Sequence, residues 1–107
     1  MRIVLQYFDG CPHEQTMRGH LRTLIDEGLV AILEEEMIDT QEKAVARGFR
    51  GSPTLLVDGI DPFDDGSMQP GMSCRIYRTE QGPAGAPTLE QLRAAISEGT
   101  PRDIGSK

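Results

Sequence analysis

The chain has 107 residues, 37% of them hydrophobic and 26% charged, with no tryptophan, a size and composition that suit one globular domain and exclude two full ones. Its net charge of −6, with no cluster of Lys and Arg interleaved with aromatics, excludes the usual electrostatic footprints for nucleic acid and for an anionic membrane surface. Two cysteines are too few for a disulfide framework and fit a reducing compartment, where thiols are catalytic, redox-sensing, metal-binding or buried and inert.

Arg2 to Phe8 is almost wholly apolar and β-prone, which predicts a strand buried on both faces. A turn at Asp9-Gly10 follows. Pro12 then stands where a first helical residue would, and Met17, Leu21, Leu24 and Ile25 recur at helical spacing up to a stop at Gly28, so a helix is expected from about Pro12 to Glu27. Leu29 to Met37 predicts a second strand whose acidic end, Glu34-Glu35-Glu36, is solvated near a sheet edge. Asp39 or Thr40 is expected to cap a short helix ending at Gly48, with Glu42 placed to close a capping box on Asp39.

Leu55-Leu56-Val57, introduced by Gly51-Ser52-Pro53-Thr54 and bounded by Asp58-Gly59, predicts a central strand. Ile60 to Ser73 is a long Asp/Gly/Pro/Met-rich connection of a kind that is often functional; Pro62, Phe63, Met68 and Met72 would make it a contact surface or the cap of its own core. Cys74 to Arg78 alternates well enough to predict a strand antiparallel to the preceding one, and Gly82 to Pro87 reads as a connector. Thr88 and Gln91 form a capping box ahead of Leu89, Leu92, Ala95 and Ile96, which predicts a last helix up to Gly99. The expected domain is residues 1–99, with 100–107 as a flexible tail. Right-handed crossovers applied to this β-α-β-α-β-β-α order give a mixed four-stranded α/β sheet with helices on both faces. Ile3-Val4-Leu5 is too short for a signal-peptide core and nothing reaches transmembrane length, so a cytoplasmic protein is expected.

Cys11-Pro12-His13-Glu14 at the first strand-to-helix junction, together with Ser52-Pro53-Thr54 ahead of the third strand, resembles the thioredoxin-like family over roughly Arg2 to Glu98. The family's reactive Cys-x-x-Cys opens the first helix and its later proline is cis and faces the reactive sulfur. Glu14 stands where that motif has its second cysteine. The resemblance implies thiol–disulfide exchange with Cys11 as nucleophile. Pro12, Glu14, Ser52 and Pro53 would line the substrate groove, and the backbone of Ser52 would be offered to a protein substrate. A low-molecular-weight disulfide is the other substrate class, and oligomeric state is not indicated.

A helix start favours an anion and hence a thiolate. At a surface this amounts to only about 0.3–1 kcal/mol, so a protonated His13 is expected to help, while Glu14 opposes through like charge. Release of a mixed disulfide needs a second thiol. External glutathione supplies it in a monothiol scheme, and Cys74 is the internal candidate, although a cysteine at a strand start also reads as a small buried hydrophobe. His20 is most simply an exposed helix residue.

Two other functions fit the same residues. Cys11, His13 and Cys74 would suit a soft metal ion, and the Tyr-Phe-Asp-Gly-Cys-Pro start with the Gly-Ser-Pro-Thr segment is similar to small bacterial thioredoxin-like proteins labelled alkylmercury lyase-like. In that reading Asp9 or Asp65 would supply the acid for protonolysis of an organomercurial, although the cysteine spacing matches no recognised zinc pattern, so no resident metal or organic cofactor is expected. A domain lacking the second motif cysteine would also serve as a non-catalytic peptide-binding module.

Overall fold

A computed structural model describes residues 2–64, 66 and 69–99; Asp65, Met68 and the 100–107 segment lie outside the described residues. Strand β1 (Ile3–Tyr7) is the centre of a three-stranded sheet. It runs parallel to β2 (Leu33–Met37), with Ile3 opposite Leu33, and antiparallel to β3 (Thr54–Val57), with Ile3 opposite Val57. Its first four side chains are buried, Gln6 among them, in keeping with a central strand covered on both faces. The third strand was expected to be central and instead forms one side of this sheet, because the strand expected beyond it pairs elsewhere.

Helix α1 (His13–Asp26) connects β1 to β2 and buries Met17, Leu21 and Leu24 along one stripe. Helix α3 (Leu89–Gly99) adds Leu92 and Ile96 to the same cluster, which also takes Ile3 and Leu5 from β1 and Leu55 and Val57 from β3. Alternation along β1 directs the opposite parity, through Phe8, to a smaller cluster of Ile38, Ala44 and Phe49. Ala44 belongs to helix α2 (Gln41–Arg47). The described residues thus form an α/β fold with a small mixed sheet and three helices.

Caps follow local chemistry. Thr88 and Gln91 exchange bonds, each backbone N–H donating to the other's side-chain oxygen at 2.9 and 3.1 Å. Thr40 caps α2 by accepting from the Lys43 N–H at 3.0 Å, and Gly48 closes the helix in the left-handed region at φ 67°. The Asp39–Glu42 box is therefore not used: Thr40 supplies the cap one residue later.

Two further expectations need correcting. The acidic run on β2 is not simply solvated. Glu34 pairs with Arg2 at 2.7 Å, Glu35 with Arg18 at 2.8 Å and Glu36 with Arg47 at 2.7 Å, and the Arg2 guanidinium holds the Glu34 carboxyl below its ordinary range. Ion pairs this open to solvent contribute little to stability; their charges discourage edge-to-edge pairing of an outer strand. The second correction is the expected fourth strand. Strand β4 is only Tyr77–Thr79, and it pairs antiparallel with β5 (Gly82–Ala84), part of the stretch read as a connector. Gly82 at φ 100° allows the tight return. The described strands therefore form a three-stranded sheet plus a two-stranded hairpin, not one sheet of four.

Residues 73–75 make a different connection. Cys74 forms an isolated parallel bridge with Ser52, in which the Ser52 N–H donates to Ser73 O at 2.8 Å and the Arg75 N–H donates to Ser52 O at 3.0 Å. The chain here buries Arg75 and Tyr77 and exposes Cys74 and Ile76. A charged residue faces inward because Asp61 meets it there, a partner fourteen residues away that strand periodicity does not reveal.

Candidate active site

The turn after β1 uses Gly10 at φ 92°, which sets Cys11 just ahead of α1. Pro12 occupies the N-cap without a side-chain cap bond, so the helix start has no side-chain acceptor from that residue. Cys11 is 2% exposed. Its Sγ lies 3.6 Å from Ser52 O and 4.0 Å from the Sγ of Cys74, which is exposed. Both sulfurs are free thiols. The contact with Ser52 O brings the helix-start cysteine and the proline segment together, and the Ser52-Pro53 peptide is cis.

A polar network fixes the strand segment that carries Cys74. Arg75 is 1% exposed, donates to Asp61 at 2.6 and 3.3 Å and to Thr54 Oγ1 at 3.1 Å, and lies 4.7 Å over the Tyr77 ring. The Tyr77 hydroxyl donates to Pro53 O, and burial pushes its pKa upward. Phe63, from the long connection, meets Tyr77 edge-on at 5.3 Å, so that part of the loop caps its own core. Gly51, at φ 121°, lies directly beneath Ser73 and Arg75, where an added Cβ would stand 2.9 Å from Arg75 Cβ and 3.1 Å from Ser73 O.

The residues expected at the site are distributed unevenly. Cys11, Cys74, Ser52 and Pro53 are brought together. Ser52 and Pro53 are buried, and the Ser52 N–H and C=O expected to receive a peptide are already bonded to Ser73 and Arg75; its Oγ accepts from the Phe8 N–H at 3.3 Å. Pro12 is exposed at the helix start. Glu14 is nearly buried and pairs with Arg18 at 3.5 Å, which also holds Glu35 and lies over the Tyr7 ring. Among the described residues no hydrogen bond joins His13 to either sulfur. His13 is exposed and its ring rests against Gly85, where an added methyl would overlap Cγ, Cδ2 and Nδ1. Gly85→Ala is accordingly expected to displace the ring and shift the His13 proton resonances. Because an exposed ring has room to swing away, the stability loss should stay below about 1 kcal/mol; unchanged His13 resonances would contradict the contact.

The Cys74 thiol is held above its ordinary pKa by desolvation, by its hydrogen bond with Cys11 and by repulsion from a Cys11 thiolate. Among the described residues no group of three His, Cys, Asp or Glu gathers to hold a metal ion, and Asp9 is exposed on its turn. Gly51, Thr54, Asp61, Arg75 and Tyr77 were not expected as site-forming residues. The one available signal was the unusual length of the 60–73 connection, which pointed to its importance without indicating that Asp61 would hold a buried arginine. No family model, curated protein or solved structure matches the chain.

Proposed function

We propose that this protein carries out thiol–disulfide exchange through the pair Cys11 and Cys74, with a thioredoxin-like arrangement of its parts. The observation that carries the reading is the 4.0 Å separation of the two sulfurs. A disulfide requires about 2.05 Å, so closing the bond needs a movement of about 2 Å. Oxidation forms one S–S bond and releases two protons and two electrons to a disulfide acceptor, which becomes two thiols.

Cys11 is the nucleophile of the step that closes the internal bond and the leaving group of the step that opens it. The helix start suits the negative charge it carries in both steps. Cys74 supplies the second thiol that Glu14 does not, so the pair does not depend on an external thiol to release an adduct, and glutathione enters as the external redox partner. The thioredoxin-like reading is supported by the β-α-β-α-β order and by the cis proline beside the helix-start cysteine; the separate hairpin is its departure. No described helix is long and apolar enough to cross a membrane.

Titrating the reduced protein with glutathione disulfide is expected to remove both thiols together. Cys11→Ser and Cys74→Ser should each stop at a glutathione adduct. Wild-type protein that also stops at an adduct, or keeps both thiols, would contradict the reading.

A further inference from the structure

We propose that exchange with solution enters this site at Cys74, and that the partner is a low-molecular-weight thiol or its disulfide rather than an extended polypeptide. The proposal rests on the reading of Cys11 and Cys74 as a redox pair and adds which sulfur meets the partner and what kind of partner fits.

Accessibility separates the sulfurs. Cys11 is 2% exposed, whereas Cys74 is exposed. Exchange requires collinear approach to a sulfur by an attacking thiolate, so the buried member is reached only through its partner or after the segment above it moves. An extended polypeptide would bind by adding backbone hydrogen bonds to an open edge. At Ser52 that edge is filled by the chain itself: the N–H goes to Ser73 O and the C=O takes the Arg75 N–H. Arg75 in turn is locked by Asp61 and Thr54, and Tyr77 by Pro53 O. Residues 73–75 occupy the edge an incoming strand would take, with the Cys74 sulfur 4.0 Å from that of Cys11. A small thiol needs no backbone edge and reaches the exposed sulfur directly.

The chemistry balances in this direction. A thiolate RS⁻ attacks Cys74 Sγ of the oxidised pair; a Cys74–SR bond forms, the Cys74–Cys11 bond breaks, and Cys11 departs as the thiolate at the helix start. A second RS⁻ attacks the sulfur of the bound SR group, releasing RSSR and leaving Cys74 to take a proton. Two thiols are oxidised and the protein disulfide is reduced to the dithiol. The geometry sets this direction: Cys74 is the sulfur open to attack, and Cys11 sits at the helix start, which suits a departing thiolate.

Three measurements test the assignment. With 5,5′-dithiobis(2-nitrobenzoate) on the folded protein, Cys74→Ser, which leaves only Cys11, should react about tenfold or more slowly than Cys11→Ser, and the two should become equal in guanidinium. Oxidised wild-type protein mixed with glutathione and quenched in acid should carry its first adduct on Cys74, a result independent of how either variant folds. A short unstructured cysteine peptide should react no faster than glutathione at equal thiolate concentration. Equal native reactivity of the two variants, a first adduct on Cys11, or a peptide about tenfold faster than glutathione would overturn the proposal. If the adduct sits on Cys11 but the internal disulfide still forms, only the entry assignment fails; if no internal disulfide forms, the exchange reading itself fails.

Discussion

Arg75→Ala is expected to lower the unfolding free energy by about 3–5 kcal/mol, the usual loss when one partner of a buried ion pair is removed. The side chains of Arg75 and Asp61 are 1% and 7% exposed, and their closest contact is 2.6 Å. Truncation leaves the Asp61 carboxylate with no guanidinium, removes the donor to Thr54 Oγ1 and strips the cation from the Tyr77 ring. For a domain whose whole stability lies within about 5–15 kcal/mol, that loss is a large share. Urea unfolding monitored by circular dichroism would measure it. Replacing the pair together, Arg75→Met with Asp61→Leu, should lose much less, because two apolar groups leave no unpaired charge. A loss below about 1 kcal/mol for Arg75→Ala would mean that the pair does not anchor residues 73–75.

Gly51→Ala is expected to weaken the same region from beneath. At φ 121° an L side chain is strained, at a typical cost of about 1–3 kcal/mol. The new Cβ would also meet Arg75 Cβ at 2.9 Å and Arg75 Cα at 3.3 Å, and overpacking of this kind adds about 1–3 kcal/mol. Because the obstructing atoms are largely backbone and Cβ, the relief available is to lift residues 73–75 away from Ser52. The variant should therefore lose stability in urea and also form the Cys11–Cys74 disulfide more slowly than wild type. A variant with wild-type stability and wild-type disulfide formation would show that the close approach of Gly51 to this segment is not needed.

The parts of the fold that could be read from the sequence are those governed by local rules. The apolar run of Ile3 to Tyr7 marks the central strand, Pro12 and Gly28 bracket α1, and the reciprocal bonds of Thr88 and Gln91 follow from residue types three apart. Cys11 and Pro53 were identified by position in the element order, and the fold brings both to the site. The residues that escaped notice depend on distant partners. Arg75 faces inward only because Asp61 is there, and this inverts the alternation that had suggested a longer strand around Cys74. The Pro83-containing β5 escaped because Gly-Pro-Ala lacks strand propensity; its pairing depends on Tyr77–Thr79 returning beside it. By its position at a strand start, Cys74 reads more readily as a buried apolar residue than as a resolving thiol, and only the fold shows it exposed and beside Cys11.

The central claim is that Cys11 and Cys74 form one reversible redox pair. Its most direct test is to equilibrate wild-type protein in glutathione buffers spanning reducing to oxidising ratios, quench with acid, and read intact mass and a non-reducing peptide map. The account predicts two principal species, the dithiol and a form lighter by two hydrogens in which the peptides carrying Cys11 and Cys74 are linked, interconverting as the ratio changes. A protein that accumulates only glutathione adducts or intermolecular disulfides, with no Cys11–Cys74 link at any ratio, would contradict it.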